Sequence, residues 1–308
     1  MDLTYRVLNV FTDGKDPFTG NGVAVFEDGS ELTTEQMQTL AFQVNIETVF
    51  VLPKNNGDEA TVRFFSPEKE TGFAGSASLA TAAVIRDLRG GEGDVTLIEE
   101  REEETSAEGD GADTSRRGHR LREGEEPGSY TVLQRDDLWV LDVHEPQAET
   151  LKATPQILAS LVGLSTDAIG GDVMTVGKGA GGIVLPVRTV DDVRNTRLDA
   201  RMLHSYAMLL NTEPRVYVWA NSEDEAGTIV SRMFYGPRGG VLEVAATGTG
   251  GTNLGAYLLA HGERGIRRRV IQGRVAGRRS LLDLRIDHSG EVFVGGHVAE
   301  VARGHFTV

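Results

Sequence analysis

The chain has 308 residues, enough for one large domain or two ordinary ones, and its 39% hydrophobic content suffices for a packed core. A formal charge of −15 argues against nucleic acid and anionic membrane surfaces as partners, because phosphate contacts need a dense cationic surface. The lack of cysteine excludes disulfides, thiolate metal sites and cysteine nucleophiles, and fits a reducing cytoplasm. The N-terminus, MDLTYRVLNVFTDG, has no basic segment followed by a long apolar one. No stretch reaches the roughly 20 apolar residues that span a bilayer. The expectation is a soluble, cytoplasmic protein without a signal peptide.

YRVLNVFT (5–12) and GVAVFED (22–28) alternate as strands do and are joined by the turn-rich DGKDPFTGN. TTEQMQTLAFQV carries apolar residues at helical spacing, with Thr33 or Thr34 as its cap and a glutamate early in the run. ETVFVLPK (47–54) and ATVRFFSP (60–67) are strand-like, and GFAGSASLATAAVIRDL (72–88) begins with small residues and becomes an apolar helix. VTLIEE (95–100) reads as a strand running into the charged, glycine-punctuated stretch 101–128. That stretch cannot bury apolar area, so it is expected to be a disordered insertion, with a lid or partner-binding tail as the alternative. Strands resume at YTVLQ (130–134) and LWVLDV (138–143), and PQILASLVGL (155–164) is helical with Thr154 as cap. The glycine-rich VGKGAGG (176–182) precedes the strand IVLPV (183–187). DARMLHSYAMLLN (199–211) is a helix, and RVYVWA (215–220) and TIVSRMFYG (228–236) are strands. ATGTGGTNLGAYLLA (246–260) leads through glycines into a helix, and the segments from VIQG through LLDLRI and EVFVGG to HFTV read as antiparallel strands.

One internal repeat stands out. FAGSASLATAAVI and ATGTGGTNLGAYL superpose with Gly75 on Gly248 and Ser76 on Thr249, an offset of 173 residues. Each follows a strand with aromatic residues, VRFFSP or SRMFYGP. Two lobes of one architecture, facing each other, would account for this. A helix N-terminus leaves backbone N–H groups unpaired and carries partial positive charge, and glycine lets a ligand approach the backbone. Two such termini on one cleft, with the hydroxyls of Ser76 and Thr249, would bind a carboxylate or stabilise an enolate. Neither segment is a phosphate loop, since Gly-Lys-Ser/Thr and GxGxxG are both missing.

At these residues the chain resembles the PhzF-like phenazine-biosynthesis isomerase family, whose lobes share the diaminopimelate epimerase fold. The segments are VFTDGKDPFTGNGVAVF, VNIETVFVLP, VRFFSPEKETGFAGSASLATAAVI, FYGPRGGVLEVAATGTGGTNLGAYL and VIQGRVAGRRSLLDLRI, in family order across nearly the whole chain. The resemblance implies an α+β protein of two pseudo-symmetric lobes, each a mostly antiparallel mixed sheet wrapped around a central helix, with the active site in the interlobe cleft. The lobes would be 1–145 and 146–308, the last strand being free to return to the first lobe. It implies acid/base chemistry at carbon with no cofactor and no metal, a small-molecule substrate and a homodimer. The family's proton shuttle falls on Glu47. Asn21, Gly75, Ser76, Gly248 and Thr249 fall at substrate-binding positions. Two departures stand out. Ser76 occupies the place of a histidine, and Val244 the place of an aspartate, which leaves a more apolar pocket and argues against the phenazine substrate.

Glu47 heads the apolar run TVFVLP, where burial would raise its pKa and let it give and take a proton. The histidines show no metal spacing. His119 lies in the charged insertion, and the others read as structural or surface residues. Asp172 and Asp191-Asp192 read as capping or solvated turn residues, and the arginines between Arg264 and Arg279 as a salt-bridged surface. The leading expectation is an isomerase of specialised, antibiotic-type metabolism that moves a double bond with Glu47 as single shuttle. Two alternatives stand: an epimerase or racemase, which needs a second base, and a non-catalytic binding or scaffold protein.

Overall fold

The structure, a computed structural model, describes residues 2–52, 58–100, 128–143, 147–177, 182–236 and 240–307. The charged stretch at 101–128 apart from Gly128, His119, His144, and positions 178–181 of the glycine-rich patch lie outside the described residues. The chain divides into two compact units, Met1–Asp142 with Gly295–Val308, and Val143–Val294. No helix among the described residues is long and apolar enough to cross a membrane.

The first unit contains β1 (Asp2–Thr12), β2 (Asn21–Phe26), α1 (Thr34–Val44), β3 (Glu47–Leu52), β4 (Glu59–Phe65), β5 (Glu70–Thr71), α2 (Gly75–Arg89), β6 (Val95–Glu99), β7 (Ser129–Arg135) and β8 (Leu138–Val143). The second contains β9 (Ala148–Thr150), α3 (Pro155–Val162), β10 (Met174–Val176), β11 (Gly182–Pro186), α4 (Val190–Asn195), α5 (Ala200–Leu210), β12 (Arg215–Asn221), β13 (Thr228–Tyr235), β14 (Leu242–Val244), α6 (Gly248–Ala260), β15 (Ile266–Gln272) and β16 (Ser280–Ile286). The chain ends with β17 (Val292–Thr307), most of which belongs to the first unit.

The same strand pattern is built twice. In the first unit β2 runs parallel to β3, β3 antiparallel to β4, β4 antiparallel to β5 and parallel to β6, and β6 antiparallel to β7. In the second, β11, β12, β13, β14, β15 and β16 repeat these relations in the same order. The crossover helix is α2 in one and α6 in the other. In the first unit β1 joins β2 to β17, and β17 also pairs with β8, so the strands form a ring. α2 packs against β1, β2, β3, β6 and β7 of that ring. α6 packs against β9, β10, β11 and β16.

Local chemistry explains the element ends. Thr33 accepts from the Gln36 N–H while the Gln36 side chain takes the Thr33 N–H, so Gln36 rather than the early glutamate completes the capping box. Thr154 and Asp199 cap α3 and α5. α4, absent from the sequence reading, is started by a second capping box between Thr189 and Asp192. EVFVGG and HFTV belong to one continuous strand. Gly295 continues it because an added Cβ would lie 2.5 Å from the Trp139 carbonyl oxygen, so the glycine serves close strand approach and not a turn. Two apolar clusters lie outside the central helices. Phe26, Phe50, Leu52 and Phe65 pack with Met37, Leu40 and Ala41 of α1, while the Ile183, Leu185, Val216 and Val218 side chains pack with α3, α4 and α5.

Arg6 of β1 is buried and ties three parts of the first unit together. It donates to Glu27 after β2 at 2.5 Å, to Asp87 of α2 at 2.5 Å and to Glu300 of β17 at 3.0 Å. Burial opposes its charge, but these bonds outweigh it and hold the guanidinium above its ordinary range. The bond from Arg6 holds Asp87 below the usual carboxylate range, and Arg303 followed by Arg6 does the same for Glu300. Arg6→Ala is expected to cost about 3 kcal/mol in urea unfolding at pH 7, the low end for a broken buried pair because its partners reach solvent. Carboxylates with depressed folded pKa values stabilise above their unfolded pKa, about 4, and lose this as pH falls through the folded values. The difference between wild type and Arg6→Ala should therefore shrink between pH 5 and acid.

Candidate functional site

Glu47 is placed by a tight junction. α1 ends at Asn45, whose left-handed backbone (φ 59°) returns its N–H to the Ala41 carbonyl, and β3 begins after one further residue. Thr48, Phe50 and Leu52 alternate onto the face where Phe50 and Leu52 meet α1. Glu47, Val49 and Val51 therefore take the other face, toward α2, against which β3 packs. The Ser76 hydroxyl of α2 donates to Glu47 Oε2 at 2.6 Å. Glu47 keeps part of its surface exposed, yet its carboxyl is desolvated. Burial, the larger effect, pushes its pKa up and the Ser76 bond pulls it down.

The Ser76 proton, which the sequence reading assigned to substrate, is directed at Glu47. What remains for an anion is backbone. Ala74 is the N-cap of α2 and supplies no side-chain capping bond, so it leaves the first-turn N–H groups that begin at Gly75 without the acceptor a capping side chain would give. Asn21 opens β2, where Val23 lies beside Glu47 in the parallel pair. Asn21 is two residues earlier and shares the face of Val23, one step past the end of β3. Glu47, Ser76 and Asn21 thus belong to one end of the first unit.

Gly248 and Thr249 open α6 of the second unit. Here Thr247 is a true cap, accepting from the Gly250 N–H at 3.0 Å. The glycines that follow serve packing: a Cβ on Gly251 would sit 2.6 Å from Val294, and one on Gly255 2.4 Å from Val292. Val244 lies in β14, and its carbonyl accepts from the buried Gln272 side chain. The strand registers set Thr48 opposite Phe65 and Val216 opposite Phe234, so the counterpart of Glu47 is Arg215. Arg215 pairs with Glu213 at 2.8 Å.

The sequence reading missed a group that supports the α2 turn. Phe73 stacks on Tyr130 with ring centroids 4.3 Å apart, and the Tyr130 hydroxyl donates to Glu99. The aromatic residue just before the small-residue turn was the available signal. The arginines of β15 are salt-bridged as expected, Arg267 to Asp283 and Arg268 to Glu263. Asp192 caps α4, and Asp172 offers its carbonyl to the Tyr257 hydroxyl. Among the described residues no group of three or more His, Cys, Asp or Glu is placed to hold a metal ion.

The phenazine biosynthesis-like protein family matches residues 8–304. The chain belongs to this family. Trans-2,3-dihydro-3-hydroxyanthranilate isomerase of Pseudomonas fluorescens is 28% identical over 312 residues, covering 97% of this chain and 98% of that protein. An uncharacterized isomerase of Pasteurella multocida is 26% identical over 306 residues, covering 99% and 94%. A crystal structure of a PhzF-family phenazine biosynthesis protein from Bacillus anthracis superposes with a TM-score of 0.78 over 100% of both chains at 18% identity. The fold is therefore the diaminopimelate epimerase-like α+β fold, and this family member is an isomerase. It carries Glu47 with Ser76 and Val244 at the positions where the family resemblance leads one to expect histidine and aspartate.

The raised Glu47 pKa has a consequence for stability. Below the ordinary carboxylate value Glu47 is protonated in both folded and unfolded chains and costs nothing. Between that value and the folded one the folded chain holds the extra proton, so stability falls as pH rises, and above it the full cost of the buried charge remains. Glu47→Gln should melt at a higher temperature than wild type at pH 8 and at the same temperature near pH 4, as measured by calorimetry.

Proposed function

We propose that this family member moves a proton, and with it a double bond, on a small conjugated carboxylic or amino acid, with Glu47 as the shuttle. The observation that carries the reading is the desolvated Glu47 carboxyl bonded to Ser76 at the N-terminal turn of α2. Burial brings a carboxyl toward the pKa at which it both accepts and returns a proton. The substrate would carry an acidic C–H next to a carbonyl, imine or diene. Glu47 would take that proton while backbone N–H groups at Gly75 and Ser76 meet the negative charge that develops, and then deliver it elsewhere on the same face. Asn21, at the same end of the first unit, would offer a polar contact, and within the second unit Gly248 and Thr249 open α6 as Gly75 and Ser76 open α2. Migration is favoured over inversion because Arg215 holds the place equivalent to Glu47, and a guanidinium does not act as a second base. The relatives named as isomerases favour catalysis over a scaffold role.

Ser76 and Val244 point to a substrate other than the one named for the Pseudomonas relative. The enzyme would act in specialised, antibiotic-type biosynthesis, as a cytoplasmic homodimer. Incubation with candidate conjugated acids in deuterated water, read by NMR and mass spectrometry, tests the reading. Site-specific deuterium at the new sp³ carbon is expected for the true substrate. Glu47→Gln keeps the shape but cannot accept a proton, so its turnover should fall roughly 10²–10⁴-fold while substrate binding changes little. Near wild-type turnover would eliminate Glu47 as the shuttle.

A further inference from the structure

The repeated strand pattern carries a repeated ion pair. Arg63 of β4 binds Glu70 of β5 through two bonds of 2.8 Å. Arg232 of β13 binds Glu243 of β14 through bonds of 3.1 and 2.7 Å. Both arginines are 5% exposed. Each glutamate lies opposite a phenylalanine in the antiparallel pair, Phe65 with Glu70 and Phe234 with Glu243. Each arginine is two residues before that phenylalanine and lies over its ring, at 5.5 Å in the first unit and 4.7 Å in the second. Five residues beyond each glutamate a central helix begins, at Gly75 or Gly248. The arginine–glutamate separations along the chain differ, 7 and 11 residues, so the resemblance is of geometry and not of spacing.

A buried ion pair gains little net stability, but a bidentate one fixes register. We propose that the two pairs are a duplicated positioning device that sets the starts of α2 and α6, and that Arg63–Glu70 thereby holds the Ser76 hydroxyl on Glu47. The inference rests on the reading of Glu47 as the site's working carboxyl. α2 needs such a device because Ala74 supplies no side-chain cap. α6 has the Thr247 cap, and Arg232 also donates to the Val193, Arg194 and Thr196 carbonyls beside α4, a separate structural duty. The first unit is therefore the cleaner test. The β4–β5 turn does not depend on Glu70, since Ser66 and Lys69 close it with their own bonds and the Gln38 side chain donates to the Ser66 and Pro67 carbonyls.

The test titrates the Glu47 carboxyl carbon by ¹³C NMR in the full-length protein, the signal being assigned by its loss in Glu47→Gln. Ser76→Ala should raise the Glu47 midpoint, because it removes the bond that lowers it. Glu70→Ala should raise it in the same direction, and Ser76→Ala with Glu70→Ala should add nothing further. Glu70→Gln, which retains one acceptor for Arg63, should lie between Glu70→Ala and wild type. A through-space effect of the released Arg63 charge would lower the midpoint, so the sign separates the two causes. An unchanged or lowered midpoint in folded Glu70→Ala, or additive shifts in the double variant, would overturn the proposal. Should Glu70→Ala fail to fold, Arg63→Lys replaces it, as it keeps the charge and loses the bidentate fork; an unmoved midpoint there counts equally against the proposal. The midpoint is read without substrate, so the result stands apart from whether Glu47→Gln retains turnover.

Discussion

A helix enclosed by strands must bury every face, and this constraint shapes the first unit. From Ser76 to Ala82 every residue of α2 is buried. Apart from Leu79 the residues there are small, and the hydroxyls after Ser76 are satisfied within the helix: Ser78 returns to the Ala74 carbonyl and Thr81 to that of Ala77. Only the helix ends meet anything polar from outside. At the far end Asp87 joins the Arg6 network. At the near end the helix starts without a side-chain cap from Ala74, and the Ser76 hydroxyl bonds to Glu47. Along the enclosed middle of the helix there is no room for polar partners, so they are left to its two ends.

Two opposed effects set the state of Glu47. The enclosing strands remove water and favour the neutral acid, whereas Ser76 stabilises the anion with one neutral hydrogen bond. A charged partner would tip the balance toward permanent ionisation, as Asp87 and Glu300 illustrate beside Arg6 and Arg303. A hydroxyl leaves the carboxyl able to cycle between its two forms. The second unit lacks this balance, because Arg215 stands at the equivalent place with Glu213 beside it.

The long elements were legible because their apolar residues recur at helical or strand spacing, and the offset between Gly75 and Gly248 revealed the duplication. Glu47 was legible as a carboxylate at the head of an apolar strand, in a motif resembling a known family. The direction of the Ser76 hydroxyl was not, since nothing in the order of residues says that β3 and the start of α2 meet. β5, β9, β10 and β14 escaped notice because strands of two or three residues are too short to display alternation. Gly295 could not be assigned for a different reason: the same residue type serves turns and close strand contact, and only the Trp139 carbonyl distinguishes them. The arginine–glutamate pairs were hidden by unequal loop lengths, which break the sequence repeat while the strand register survives.

The return of β17 to β1 bears on the order in which the chain can acquire its structure. Asp2 pairs with Thr307 and Leu8 with Glu300, so the strand that opens the first unit is completed by residues that follow the whole of the second. The second unit is continuous, Val143–Val294, and has all its own strands once that stretch has been synthesised. During synthesis the first unit therefore keeps an open β-edge on β1 while the second is already complete, reversing the usual N-to-C order. That edge is a template for wrong pairing until β17 arrives, and the closing step joins segments separated by an entire intervening unit, which makes it the slow one.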